Sequence, residues 1–600
     1  MMVPDYALIA EIKLYSFGFS DARNMARKLV QVLRLCSEQL SSQKHYDYGM
    51  RAVFSILVRA GNLRQQLGDQ WTEDLIVLSA ITDVNMPKFT TNDLPLFRGI
   101  TQDLFPGAVL PEPDYKALES AILQTCKDRN LQPKDTFLKS VIQLRETVAV
   151  RHGLMVVGET CCGKTKVINT LAEAFGRVKG AGSDYGKVQV HTINPKSVKQ
   201  NQLYGRTDPN TQEWTDGMLA VIYRNCSTDD SKTRHWIVFD GPVDAVWIED
   251  MNTVLDDNKK LCLTSGEIIK MSNRMTMMFE TDNLREASPA TVSRVGMVFM
   301  EPKRTGWRPA MQSWLLTLDA PHFDQRDREQ LASLCDWLVP PVLHFIARGG
   351  EVLCPVTPIE QLQSVLTMLD ALLTEAVREC AAPVPEKEKP RLLESLLIMS
   401  IVWSIGSATA LSARQPFDEY LRALLLGKPN EHPIFLDFMA KNPKYDGHFS
   451  EGGLCLRAYE GDVRDYDTDP YAAAKGSDGE GAGAGENKEG EDEDEEARRR
   501  KTKGRFDADP VRDGEARKTI SPIPEDRTLF DFCVDLAKGG WNDWMQGVPT
   551  YSVPEGATFN SIIVPTIDTI RNEWIIDLLI RSHNHVLCVG DTGTGKSVSL

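Results

Sequence analysis

Two stretches of this 600-residue chain fit the phosphate-loop pattern G-x-x-x-x-G-K-[ST] in full. One is Gly158, Glu159, Thr160, Cys161, Cys162, Gly163, Lys164 and Thr165; the other is Gly590, Asp591, Thr592, Gly593, Thr594, Gly595, Lys596 and Ser597. Each follows an apolar run, residues 154–157 and 586–589, that reads as a buried strand. Glycines let such a loop wrap closely so that its backbone N–H groups face phosphate oxygens. The lysine adds a positive charge, and the final hydroxyl ligates Mg²⁺. The pattern therefore predicts at least two α/β P-loop modules in one polypeptide, with ATP and Mg²⁺ as cofactors.

The length suits about three to five domains. The balance of 84 acidic against 68 basic residues, net −16, argues against a general nucleic-acid binder. Twelve cysteines are scattered without paired metal-ligand spacing, and Cys161 and Cys162 read as small fillers inside the first loop. The chain opens without a signal-peptide pattern, which makes a reducing cytosolic compartment the expectation. Residues 396–413 carry no charge over a length that approaches a membrane span. Their serines, and the amphipathic helix before them, favour a buried core helix, so no membrane is expected.

Along the chain, residues 1–107 show helical periodicity without a phosphate loop: Met25, Leu29, Val32, Leu33 and Cys36 share one face, and 48–63 forms a second helix. Residues 85–107, rich in Pro, Asn, Thr and Gly, read as a connector. From 108 to 304 the pattern is α/β, with strands expected at 154–157, 188–193, 236–239, 275–279 and 295–300 between helices, which indicates a parallel sheet with crossover helices. Residues 305–470 read as a helical subdomain, with Leu362, Val365, Leu366, Leu369 and Leu373 as a core stripe. Residues 471–525 read as a disordered insertion. Between 471 and 505 it has no apolar residue larger than alanine after Tyr471 and carries an acidic block at 491–496 and a basic one at 498–501. Residues 526–559 then serve as a connector, within which 530–544 resumes ordered sequence, and 560–600 open a further module. The chain reads as a piece of something longer, an AAA+ P-loop fold with helical small subdomains truncated at both ends.

In a P-loop ATPase a second strand ends in an acid that supports the metal. Trp236-Ile237-Val238-Phe239-Asp240 supplies it, so Thr165, Asp240 and Ser597 are the expected metal-side residues. Hydrolysing AAA+ modules follow that acid with a glutamate that polarises water, whereas Gly241 and Pro242 follow here. Asp244, Glu249 and Asp250 read as loop or capping carboxylates. The first site is thus expected to bind ATP and turn it over poorly. Asn283, after the 275–279 strand, is a candidate γ-phosphate sensor, with an ordinary turn asparagine as the competing reading. Ser288 and Pro289 open a short helix that ends at Arg294. An always-charged planar fork there suits γ-phosphate oxygens, so Arg294 is a candidate arginine finger for a neighbouring module.

These motifs, together with Tyr15-Ser16-Phe17-Gly18-Phe19, Asp93-Leu94-Pro95-Leu96-Phe97, Asn194-Pro195-Lys196-Ser197, Gln202-Leu203-Tyr204-Gly205, Glu213-Trp214-Thr215-Asp216-Gly217, Val564-Pro565-Thr566-Ile567-Asp568 and the words around Asp240 and Arg294, resemble the ring region of dynein heavy chains, of the axonemal type. The resemblance implies an ATP-driven microtubule motor of cilia or flagella, in the cytoplasm and its cytoskeleton. It also implies six AAA+ modules per chain, of which this stretch holds the end of the first, the whole second and the start of the third. The implied partners are the other modules of the same chain and, through regions beyond this stretch, microtubules and the intermediate and light chains. Arg51 sits where the first module's second sensor would project. The Cys161-Cys162 pair and the long 471–505 tract depart from the family pattern. A midasin-like remodelling ATPase is the alternative with the same modular logic.

Overall fold

The computed structural model describes residues 5–43, 46–90, 92–108, 110, 115–178, 185–256, 258–301, 306–318, 322–349, 351–353, 356–379, 388–426, 432–441, 523–524, 526–546, 548, 551–552 and 564–589. The second phosphate loop, Gly590 to Ser597, and the 471–505 tract lie outside these residues. The chain divides into two compact units at 305/306.

The first unit opens with five helices: α1 (Tyr6–Ser16), α2 (Ala22–Gln39), α3 (Met50–Leu67), α4 (Glu73–Asn85) and α5 (Leu94–Leu104). The stripe read from the sequence in α2 is buried in full, from Met25 through Cys36, against Val53, Ile56 and Leu57 of α3 and Ile76, Val77 and Ile81 of α4. Helix α5 corrects the expectation of a connector at 85–107. Pro95 in its first turn pre-sets φ for a helix start, and Phe97, Ile100 and Thr101 then fall on one buried face.

Two further helices, α6 (Lys116–Asp128) and α7 (Asp135–Val150), lead into a five-stranded parallel sheet. Its strands are β1 (Gly153–Val157), β2 (Val188–Ile193), β5 (Arg234–Asp240), β8 (Met275–Thr281) and β9 (Gly296–Phe299), in the order β2-β5-β8-β1-β9. All five coincide with runs expected from the sequence. Small hairpins β3 (Gly205–Thr207) with β4 (Trp214–Asp216), and β6 (Lys260–Cys262) with β7 (Ile268–Lys270), decorate it. Central strands β1 and β8 are buried throughout, as a sheet covered on both faces requires, whereas edge strand β2 is half exposed. Helix α8 (Lys164–Arg177) covers one face with Val167, Ile168, Leu171 and Phe175. After the short α9 (Gln200–Tyr204), helix α10 (Met218–Thr228) covers the other through Leu219, Ala220, Tyr223 and Cys226. This is the layered α/β architecture of an AAA+ module.

The second unit is mainly helical. Helices Gln325–Gly349, Pro358–Glu379 and Lys389–Ile401 pack together, and all five leucine and valine positions of the expected stripe are buried. The uncharged run from 396 is a core helix continued by a π-turn over Val402–Gly406, with every residue from Leu396 to Gly406 buried. The helix that meets membrane-span length and hydropathy is instead Gln325–Arg348, and most of it is buried in this core. Strands β10 (Phe532–Val534) and β11 (Trp541–Asp543) form a hairpin whose flanking Phe530, Leu536 and Trp544 enter the same core, so this part of the expected connector is a structural element. Residues 586–589 correct another expectation: they form no strand. No described strand pairs with them, and an unladdered segment leaves its polar backbone to water; Leu587 and Val589 are 86% and 81% exposed.

Candidate functional site

The first phosphate loop joins the C-terminal end of β1 to the start of α8. The Gly158 N–H donates to the Thr281 carbonyl at 3.1 Å, which fastens the loop's first residue to the end of β8. A β-carbon at Gly158 would stand 2.4 Å from the Met300 carbonyl oxygen, so only glycine fits. Gly163 takes φ +95°, and Cys161 takes the left-handed φ +64° with a side chain present. Cys162 is buried in the core around α8, and burial raises its thiol pKa, in keeping with a filler and not a ligand. Gly163 gives α8 no side-chain cap, which leaves the first-turn N–H groups and the positive end of the helix dipole facing the loop. Lys164 is buried and donates through Nζ to the Gly158 and Glu159 carbonyls, at 2.7 and 3.0 Å.

Thr165 and Asp240 meet a third residue that the sequence reading passed over. Glu280, on β8, stands in register with Asp240 on β5, and one of its carboxylate oxygens accepts the Thr165 hydroxyl. Its other oxygen, Oε2, is buried with no hydrogen-bond partner, and the residue is only 7% exposed. Burial pushes the Glu280 carboxyl above its usual range. Nearby Asp240 adds to the shift, while the Thr165 hydrogen bond and Lys164 oppose it. The signal in the sequence was an acid closing an otherwise uncharged strand, Met275–Thr281.

This set fits a nucleotide with its metal. The glycine-shaped loop and uncapped helix suit phosphate, Lys164 supplies the cation, and Thr165, Asp240 and the orphaned Glu280 oxygen offer hard oxygen donors for Mg²⁺. Two of the downstream acids, Asp244 and Asp250, are otherwise engaged. Asp244 pairs with Lys196 at 2.5 Å and caps the Val246 N–H at 2.9 Å, and the Lys196 bond holds its carboxyl below the usual range. Asp250 accepts from Gln200 Nε2 at 2.8 Å. Asn283 lies in the turn after β8, where its amide donates to Asp282 and its oxygen accepts the Arg285 N–H; Glu280, not Asn283, touches the loop.

Arg294 occupies the opposite end of the strands. All five strands are parallel, so the turn before β9 lies beside the start of β1, whereas the phosphate loop follows the end of β1. Four strand residues separate the two ends, about 13 Å. Arg294 Nε pairs with Asp256 at 2.8 Å, and its Nη1 donates to the Ala290 carbonyl. Arg51, from α3, donates to Ser293 Oγ at 3.0 Å. With Arg151 and Asp256 they line a cleft of about 170 Å³ floored by Met50, Phe54 and Leu255. The structure thus brings two sequence-distant arginines together, away from the Lys164 loop.

Four family profiles match the chain: "Hydrolytic ATP binding site of dynein motor region" over 1–165, "AAA domain (dynein-related subfamily)" over 153–295, "Dynein heavy chain AAA lid domain" over 331–468 and "P-loop containing dynein motor region" over 551–600. Among curated relatives, human dynein axonemal heavy chain 12 is 39% identical across the whole chain, of which the match covers 17% of the relative. Human dynein axonemal heavy chain 3 and rat dynein axonemal heavy chain 1 are each 38% identical across the whole chain, covering 13% of the relative. The chain therefore spans less than a fifth of the length of these relatives.

Proposed function

Because the chain belongs to the dynein heavy chain family and corresponds to a stretch of its motor region, we propose that it is a ring segment of an axonemal microtubule motor and contributes to two nucleotide sites of unequal role. The site built on Lys164, Thr165 and Asp240 holds ATP with Mg²⁺ as a structural clamp and hydrolyses it slowly or not at all. One observation carries this reading: Gly241 stands where a water-polarising carboxylate would follow Asp240, and Asp244 and Asp250 are tied to Lys196 and Gln200. Bound Mg²⁺ would supply charge neutralisation at the phosphates. Lys164 and the α8 N-terminus would bind them, and Glu280 accepts the hydrogen bond that the Thr165 hydroxyl donates, which leaves the hydroxyl lone pairs free for the metal.

The cleft of Arg51 and Arg294 serves the nucleotide of the preceding module, whose phosphate loop is supplied from elsewhere in the polypeptide. Arg294 acts there as the finger and Arg51 as the second sensor. Axonemal placement follows the relatives' printed names, and microtubules as the track are part of the motor reading proposed here. A midasin-like role has no observation in its favour.

The clamp is tested in the purified chain with Lys596→Ala, so that only the Lys164 loop retains nucleotide. Denaturation should release one equivalent of ATP. Lys164→Ala should abolish that release and lower the melting temperature through lost ligand linkage. Release of ADP, with steady phosphate production, would refute the clamp.

A further inference from the structure

We propose that His191, Cys226 and His235 form a seat for one soft divalent cation, zinc foremost, at the edge of the sheet and separate from the nucleotide site. The three donors come from three elements: His191 from edge strand β2, His235 from the start of β5, and Cys226 from α10. Their ligand atoms all lie within 4.8 Å of one another. His191 Nε2 is 3.3 Å from His235 Nδ1 and 3.5 Å from the Cys226 sulfur. A tetrahedral zinc with ordinary bond lengths sets nitrogen–nitrogen edges of about 3.3–3.4 Å and nitrogen–sulfur edges of about 3.5–3.6 Å. Both of these edges match those values, and the remaining His235–Cys226 edge lies within 4.8 Å.

The surroundings favour the same reading. His235 Nε2 is 2.7 Å from the Asp229 carboxylate, which accepts its N–H and so turns the Nδ1 lone pair toward the other two donors. A carboxylate behind a ligating histidine is the usual device for fixing tautomer and ring orientation. Asp229 is itself held, by the Ser231 N–H and hydroxyl at 2.8 Å each. Cys226 and His235 are buried and His191 is partly exposed, which gives an ion an entry path and room for water as a fourth ligand. Asp240 lies five residues further along β5, about 16 Å away. The donor set of two imidazoles and a thiolate selects zinc over Mg²⁺ or Ca²⁺. On binding, the Cys226 S–H bond breaks as the sulfur–metal bond forms, and the proton leaves to solvent. The ion would staple the edge strand to its neighbour and to α10.

The test uses the intact chain and two probes, zinc and cobalt(II). After gel filtration against a weak chelator, metal analysis should find about one equivalent of zinc. Cobalt should give the visible bands of a tetrahedral site and a near-ultraviolet sulfur-to-cobalt band. Cys226→Ser should remove the sulfur band, and His191→Gln, at the partly exposed edge, should drop the retained zinc to near zero in a chain that still melts cooperatively. Cys262→Ser, which alters an exposed cysteine, should change nothing. Absence of retained zinc, or a sulfur band that survives Cys226→Ser, would overturn the proposal and leave the four side chains as a hydrogen-bonded chain only.

Discussion

Cys161 and Glu280 show how the two halves of the nucleotide site pull against the stability of the module. Cys161 carries a side chain through a left-handed φ of +64° at a loop position where glycine is unstrained. The left-handed conformation costs about 1–2 kcal/mol, and glycine forfeits about 0.5–1 kcal/mol of unfolded-chain entropy. Cys161→Gly should therefore stabilise the nucleotide-free module by about 0.5 kcal/mol, read as an upward melting shift of about 1–2 °C. Glu280 is a buried carboxyl whose folded pKa lies above its unfolded value, so its share of stability is complete below the unfolded pKa and is lost as pH rises through the folded one. The isosteric Glu280→Gln removes that loss. It should raise the melting temperature of the nucleotide-free chain at pH 8 and leave it nearly unchanged near pH 4, while weakening Mg²⁺-dependent ATP retention. A stability gain that is independent of pH would show that the carboxyl is not the source. The loop residues and Asp240 were legible as a spaced motif and a strand-end acid, but Glu280 was not. Its role depends on the β5–β8 register and on the Thr165 contact, neither of which sequence spacing encodes.

Elements were legible where their apolar pattern was uninterrupted. The five sheet strands are short apolar runs ended by polar residues or glycine, and they emerged where expected. Helix α5 and the β10–β11 hairpin did not, because prolines, glycines and polar residues mask single anchors such as Phe97 and Phe530 that commit a segment only once a core exists to receive them. Residues 586–589 show the converse: an apolar run is a strand only with a ladder to join. At this scale the decisive element is the short helix Pro289–Val292, capped by Ser288, which sets Arg294 at the start of β9. In the full-length protein, Arg294→Ala should lower hydrolysis at the preceding module by on the order of 10³-fold. ATP occupancy of the Lys164 site should stay unchanged, since Arg294 lies at the other end of the strands. Near-normal turnover, or loss of that occupancy, would remove the assignment.

At the scale of the whole chain, composition separates what builds cores from what does not. The 471–505 tract offers no large apolar side chain after Tyr471, so replacing it with a short Gly/Ser linker should leave the melting temperature and nucleotide retention unaltered. A large destabilisation, or slow amide exchange across residues 476–496, would contradict this. The parallel sheet has a further consequence. A body with its phosphate loop at one end of its strands and its arginines at the other can complete both kinds of site with like bodies by head-to-tail contact, the loop end of one against the arginine end of the next. Contacts of that sort are heterologous, and where the rotation between successive bodies closes they generate a ring with an inherent sense of circulation.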